Sequence, residues 1–390
     1  MSAALVLKAG KDKAVRQRHH WIFSGAIHRM PDVDAGELLP VESREGERLG
    51  WAYCNRNCSI VGRMVSFGSD EPLAAIRNNI ASAIACRAQL FDPQKTNAYR
   101  VIHGEGDTLP GLVVDRYADV LVVQVSTAGM EMLKPQILEM LRQGMPSCTT
   151  IYEKSRIPSR REEKLRDFEG HLWGKAVDEV AVLENGLKFL VSLKDSQKTG
   201  FFLDQREMRS WVGAWSKNKR VLNCFSYTGG FSVYALWGGA TQVDSVDISA
   251  GAIVYARGNV ELNGYTTQGN HFYAEDVFTF LRERPLPYDM VILDPPAFAK
   301  RKEDVISACR GYKDINRIAI QKMPAGSMLL TSSCSYHVDE KLFQTVLFQA
   351  AAEAGRTVRI IGRHRQAMDH PINIYHPEGD YLKSLLLYIV

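Results

Sequence analysis

From residue 186 onward, short apolar runs alternate with segments of helical periodicity. This alternation limits the fold more than any other feature of the chain. The runs Arg220–Cys224, Gln242–Val246, His271–Ala274, Met290–Leu293, Ser327–Thr331 and Val358–Ile361 read as strands. Helices are expected at Phe231–Leu236, Ala250–Leu262, Val277–Arg284, around Asp314–Lys322 and at Asp339–Ala354. Strands joined by crossover helices pair in parallel, and the helices cover both faces of the sheet. Ser384–Val390 follows a strand region with no room for a crossover helix, so it is expected as an antiparallel edge. It would complete the sheet or lie at an interface, and a homodimer stays open.

In an open α/β sheet, ligands bind beyond the carboxyl ends of the strands, where strand order reverses. Cys224–Gly230 leaves the first strand for a helix, and Gly229 and Gly230 permit a sharp turn close to a ligand. The segment carries neither the GxGxxG fingerprint nor a phosphate loop. Asp247 ends the second strand, placed to accept hydrogen bonds from ribose hydroxyls. Asp276 ends the third, where an adenine amino group would reach it. A ribose acceptor without a dinucleotide fingerprint fits S-adenosylmethionine better than NAD. The plainer alternative is an α/β domain with glycine turns.

Asp294-Pro295-Pro296 closes an apolar strand. Two prolines stiffen the loop and remove two donors, so Asp294 projects from a rigid mount. It suits an amino group or a protonated ring nitrogen of a planar base. Phe298 would stack on that base or wall the pocket, and Lys300 lies at the rim where a phosphate would pass. Cys334 follows the next strand, one element away, so both side chains can face one pocket. A thiolate there would add to C6 of cytosine and make C5 nucleophilic. The alternative is a buried spacer, as most cysteines are. Cys224 reads as packing, and Cys309 as a weaker rival.

The preceding 185 residues need a reason. Residues 1–75 show short strands broken by charged turns, the texture of a small barrel or sandwich. Residues 1–30 hold Lys8, Lys11, Lys13, Arg16, Arg18 and Arg29 against Asp12 alone. Trp21 and Phe23 sit beside this basic stretch, either to stack on RNA with Arg18 or to anchor the core. Residues 76–185 read as an α+β domain, with helices at Asn78–Phe91 and Met130–Arg142 and strands at Leu112–Val114, Val120–Val125 and Thr150–Glu153. Lys154–Arg166, with Arg160 and Arg161, would track a phosphate backbone or form a solvated loop.

Composition adds limits. A formal charge of +4 favours an anionic partner only weakly. Seven cysteines, at 54, 58, 86, 148, 224, 309 and 334, form no disulfide framework, and no second close pair joins Cys54 and Cys58 in a metal site. No metal is expected. Free thiols suit a reducing compartment. No apolar run suggests a signal peptide or a membrane span, so a cytoplasmic protein without a membrane partner is expected.

HHWIFSGAI at 19–27, GEGDTLPGLVVDRY at 104–117 and KTGFFLDQR at 198–206 carry a resemblance over the whole chain. It resembles the bacterial 23S rRNA (cytosine-C5)-methyltransferases that join a PUA domain to an S-adenosylmethionine methyltransferase domain. The resemblance implies a multidomain protein: an N-terminal PUA-like β-barrel (1–75), a central α+β domain (76–185) and a C-terminal α/β Rossmann-like class I methyltransferase domain (186–390) with a mostly parallel seven-stranded sheet. It implies that Asn223, Phe225, Tyr227, Thr228 and Gly229 cradle the methionine part of the cofactor, with Asp247 on the ribose and Asp276 near the adenine. Gln205 and Arg206 would close the cofactor side. Asp294 would orient the cytosine and Cys334 attack it, in 23S rRNA or a large-subunit assembly intermediate. The chain departs from many RNA cytosine-C5 enzymes at Pro296 and Ala297, where a second cysteine is usual. DPPAF also resembles the loop of amino-group methyltransferases, which need no thiol. A non-catalytic RNA-binding assembly factor is the third reading.

Overall fold

The structure is a computed structural model that describes residues 4–194, 196 and 198–390. The alternation from residue 186 onward builds a seven-stranded sheet: β1 (Arg220–Cys224), β2 (Gln242–Asp247), β3 (Phe272–Ala274), β4 (Met290–Leu293), β5 (Met328–Ser333), β6 (Val358–His364) and β7 (Lys383–Ile389). Their order is β3-β2-β1-β4-β5-β7-β6. β1 to β5 are parallel, and β7 runs antiparallel to both β5 and β6.

Alternate residues of these strands feed two cores, as a sheet covered on both faces requires. Leu222, Cys224, Val291 and Leu293 pack with Phe280, Tyr312, Ile315 and Phe343. Val221, Met290, Ile292 and Leu330 pack with Met208, Val212 and Phe231 on the other face. Each such buried side chain contributes about 1.5–3 kcal/mol of transfer free energy. A one-residue slip would exchange the two sets, so burial fixes the register. The crossover helices are α1 (Gly230–Trp237), α2 (Ala250–Leu262), α3 (Val277–Glu283), α4 (Val305–Lys322) and α5 (Glu340–Glu353).

Two differences from the expected elements have clear causes. α4 begins at Val305 rather than near Asp314. Gly311 weakens its helical signal, yet the site of its missing Cβ lies 3.2 Å from the Phe298 ring, so the glycine admits that ring. Lys383–Ile389 is not the sheet edge; β6 takes that place, and β7 lies inside. The C-terminal run thus completes the sheet.

Two compact units divide the chain. This sheet belongs to the second, which comprises Glu184–Leu190, Asp204–Ala367 and Asp380–Val390. The first holds residues up to Leu183 together with Val191–Leu203 and Met368–Gly379. It contains a six-stranded sheet, antiparallel except where Leu5–Leu7 runs parallel to Leu38–Glu42. A five-stranded sheet follows, antiparallel except between Val120–Val125 and Thr150–Ser155. Ile76, Ile80 and Ala83 of helix Pro72–Leu90, and Ile137 and Leu141 of helix Lys134–Gly144, pack with Val101, Val114 and Val123 of that sheet. The helix expected at Met130–Arg142 is two, Ala128–Met132 and Lys134–Gly144. Pro135 near the start of the second cannot donate to the turn before it. No helix among the described residues is long and apolar enough to cross a membrane.

A buried ion cluster ties Glu184 to the helix Arg206–Trp215. Arg209 donates Nε and Nη2 to the Glu184 carboxylate at 2.7 and 2.6 Å, Tyr234 donates its hydroxyl at 3.0 Å, and Arg206 Nε lies 3.3 Å away. Arg209 and Glu184 are essentially inaccessible. Removing one charge from such a pair leaves the other buried and uncompensated. Glu184→Gln is therefore expected to lower stability by about 3–5 kcal/mol in denaturant titrations; a loss below about 1 kcal/mol would show that water relieves the arginines.

Candidate active site

Strand order reverses between β1 and β4, and the loops that leave these two strands carry most of the expected site. After β1 the backbone is left-handed at Phe225 (φ 57°), Tyr227 (φ 47°) and Gly229 (φ 79°). Such conformations cost non-glycine residues about 1–3 kcal/mol and persist where surroundings enforce them. Here Ser226 N–H donates to Val246 O, and Asn259 Nδ2 donates to Thr228 O at 2.9 Å. The Asp247 carboxylate accepts from Tyr227 N and Ser249 N, both at 2.9 Å. Asp247 thus fastens the loop to the end of β2 while remaining half-exposed.

Several buried polar atoms around this loop have no hydrogen-bond partner among the described residues: Asn223 Oδ1, Ser226 Oγ, Thr228 Oγ1 and Gln205 Oε1. Each such atom costs about 1–3 kcal/mol unless something satisfies it. They suit a ligand rich in donors and acceptors. Asn223 also donates to Ser232 Oγ at 2.9 Å. Phe225 sets its ring edge-on to Phe278, 6.4 Å away, and packs on the core. Asp276 is exposed at the end of β3 and caps α3, with Oδ1 accepting from Thr279 N at 2.9 Å.

Asp294 follows β4 and accepts from Gln205 Nε2 at 2.7 Å. Cys334 follows β5, the parallel neighbour of β4, and its Sγ lies 3.7 Å from Pro295 O. The thiol and the Asp294 loop therefore meet. Phe298 turns inward, with its ring centroid 4.6 Å from that of Tyr312 and 6.0 Å from that of Phe278. It walls the region rather than offering a free stacking face. Lys300 is exposed. Cys224 is fully buried, and desolvation pushes its thiol far above the ordinary range; Cys309 is half-buried and also raised by burial. Both environments disfavour a thiolate.

Arg206 is 2% exposed, with Nε 3.3 Å from the Glu184 carboxylate in the ion cluster.

In the first unit, Arg18 is exposed, 5.8 Å from the ring centroids of Phe67 and Tyr375. Trp21 is half-buried and donates Nε1–H to Glu105 at 2.8 Å, whereas Phe23 is 49% exposed. Arg160 corrects its expected role. It is 2% exposed and donates to the carbonyls of Arg166 and Val125 and to Glu131. A guanidinium so committed holds its own loop and cannot track a phosphate backbone. Lys154, buried and bonded to Leu193 O and Ser196, is excluded for the same reason. Arg161 remains exposed.

Sequence reasoning missed two residues of the second unit. Ile248 follows Asp247 and is 75% exposed, a large apolar side chain beside the expected cofactor site. Its signal was simple adjacency to Asp247, the expected ribose acceptor. Lys383, the first residue of β7, donates to Ser335 O at 2.7 Å, next to Cys334. Its signal was a lone charge heading the apolar run SLLLYIV.

Gly229 is constrained twice. Its φ is positive, and an added Cβ would lie 2.9 Å from Ala256 Cα and Cβ of α2. Gly229→Ala is expected to cost about 1–3 kcal/mol and to displace the loop, read as a lower melting temperature. An unchanged melting temperature would mean that α2 yields freely.

Comparison with known proteins adds identity to this geometry. Residues 99–372 match the S-adenosylmethionine-dependent methyltransferase family, and residues 5–67 match a PUA-like domain. The ribosomal RNA large subunit methyltransferase I of Aeromonas hydrophila is 41% identical, with 99% of each chain covered. The protein of the same name from Escherichia coli strain SMS-3-5 is 40% identical, with 98% of each covered. A Streptococcus mutans structure described as a SAM-dependent methyltransferase shares the fold, with a TM-score of 0.84 and 24% identity over 99% of this chain and 100% of that one. This chain belongs to the S-adenosylmethionine-dependent methyltransferase family, among the ribosomal RNA large subunit methyltransferase I proteins with their PUA-like domain, and S-adenosylmethionine is its cofactor.

Proposed function

We propose that this protein methylates C5 of a cytosine in 23S rRNA, free or within a large-subunit assembly intermediate, and that Cys334 forms a covalent bond to the base. The carrying observation is the approach of Cys334 Sγ to the Asp294-Pro295-Pro296 loop, 3.7 Å from Pro295 O. A nucleophile and a base-orienting carboxylate on neighbouring strand ends suit an attack on a flat ring held between them. The names of the curated relatives support ribosomal RNA as the substrate.

S-adenosylmethionine supplies an electrophilic methyl group on its sulfonium. The chain's own residues do the rest. Asn223, Tyr227, Thr228 and Gly229 hold the methionine part, Asp247 the ribose, and Asp276 with Ile248 the adenine end. Gln205 positions Asp294, which accepts from the cytosine amino group or protonated N3. The Cys334 thiolate forms a bond to C6, and the C5–C6 π electrons make C5 nucleophilic. After C5 gains its methyl group, a base takes the C5 proton and the C6–S bond breaks, returning the electron pair to sulfur. Arg18, Trp21, Arg161 and Lys300 are the exposed or half-exposed groups left for RNA.

A second reading keeps one specific support. Pro296 and Ala297 stand where a second cysteine is usual, and DPPAF suits an exocyclic amine of a purine. Labelled methyl transfer to unmodified 23S rRNA, followed by digestion to nucleosides, separates the two. Label is expected in 5-methylcytidine and lost in Cys334→Ala. Label in an amino-methylated purine that survives this substitution would sink the C5 reading.

Asp247→Ala removes charged hydrogen-bond acceptors worth about 1.5–3 kcal/mol. Its dissociation constant for S-adenosylmethionine, measured by calorimetry, is expected to rise roughly 10- to 150-fold, with RNA affinity retained. Equal loss of both ligands would contradict a ribose-specific role.

A further inference from the structure

Lys383 is buried at the carboxyl end of the parallel sheet, where a lysine is costly. It is 5% exposed, and its Cα faces Ser333 across the antiparallel pairing of β5 and β7. Its Nζ donates to Ser335 O at 2.7 Å. Cys334 lies between these two serines, so the ammonium is fastened to the turn that carries the thiol. Ser333 and Ser335 are inaccessible, and Ser335 Oγ is engaged by Ala299 N and Tyr312 OH. The turn is therefore rigid, and one carbonyl satisfies only one of three ammonium donors.

Strand pairing explains none of this. A β7 side chain at this register needs only to fill space, and an apolar residue would do so without desolvating a charge. The thiol supplies a reason. In the present geometry Cys334 Sγ points at a carbonyl oxygen, which favours S–H over the thiolate. A nucleophilic cysteine needs the opposite bias, and a nearby cation gives it.

We infer that Lys383 is the positioning residue that stabilises the Cys334 thiolate, both before it adds to the base and as it leaves. This rests on Cys334 being the nucleophile proposed above. In the addition, the sulfur electron pair forms the S–C6 bond and the ammonium loses its counter-charge. In the elimination, the C6–S bond breaks, the pair returns to sulfur, and the ammonium again faces an anion. A stabilised thiolate is a better leaving group, which suits a chain with Ala297 where a second cysteine is usual.

The surrounding charges agree. Burial lowers Lys383 to about 8, while Cys334, Asp339 and Glu340 pull it upward and Arg365 opposes them.

The test is alkylation of Cys334 by iodoacetamide in the full-length protein, without RNA or cofactor. The Cys334 peptide is quantified by mass spectrometry across the neutral and alkaline range. Lys383→Met is expected to raise the midpoint by about one pH unit and to slow alkylation at neutral pH roughly tenfold. Lys383→Arg keeps the charge and is expected to keep the low midpoint. An unmoved midpoint in Lys383→Met would overturn the inference. Should that variant not fold, the reciprocal measurement decides. By linkage, Cys334→Ala must lower the Lys383 midpoint in a 15N NMR titration of Nζ, and an unchanged midpoint there also overturns it. Alkylation does not depend on which base is methylated. A Lys383-dependent thiol midpoint, with methyl transfer surviving Cys334→Ala, would uphold the ion pair and overturn the C5 reading instead.

Discussion

The reversal of strand order between β1 and β4 is the constraint on which the rest of the second unit depends. From β1 the chain steps outward through β2 to β3, then returns to pair β4 on the other side. Loops leaving adjacent strands in opposite directions cannot cover the gap between them, and a crevice results. The expected site residues stand around that gap. The left-handed loop and Asp247 lie on one side, and Asp294 and Cys334 lie on the other. Two cores, one on each face, hold these strand ends in register, so the site inherits its precision from apolar packing.

Within this frame the polar groups divide into satisfied and unsatisfied sets. Asp247 already accepts two backbone N–H groups, and Asp294 already accepts from Gln205. Their positions do not wait for a ligand. Asn223 Oδ1, Ser226 Oγ and Thr228 Oγ1, in contrast, are buried without a partner among the described residues. Such a site is organised in geometry and incomplete in hydrogen bonding, which is how a protein stores affinity for one bound molecule.

Much of the parallel sheet was legible because apolar period and turn residues agree there. The spans Arg220–Cys224, Met290–Leu293 and Ala250–Leu262 hold in the structure as read. Parallel neighbours then bring Asp294 and Cys334 to the same edge without further information. The failures come from partners distant in sequence. Arg160 looks like one member of a solvated run, yet Glu131 and two carbonyls take its donors. Gly311 looks like a helix breaker until Phe298 is seen against it. The inner position of β7 did have a signal. An unbroken run such as SLLLYIV marks a strand buried on both faces, whereas VRIIGRH is interrupted by a glycine and three basic residues.

That inner position also has a consequence in time. β5, which leads to Cys334, pairs with β4 on one side and with a strand fifty residues later in sequence on the other. During synthesis its second edge stays open until residue 389 has emerged. A ribosome adding residues in order would therefore release the catalytic half of this protein as a single late event. Until then the turn bearing the thiol lacks the strand, and the lysine, that lock it in place.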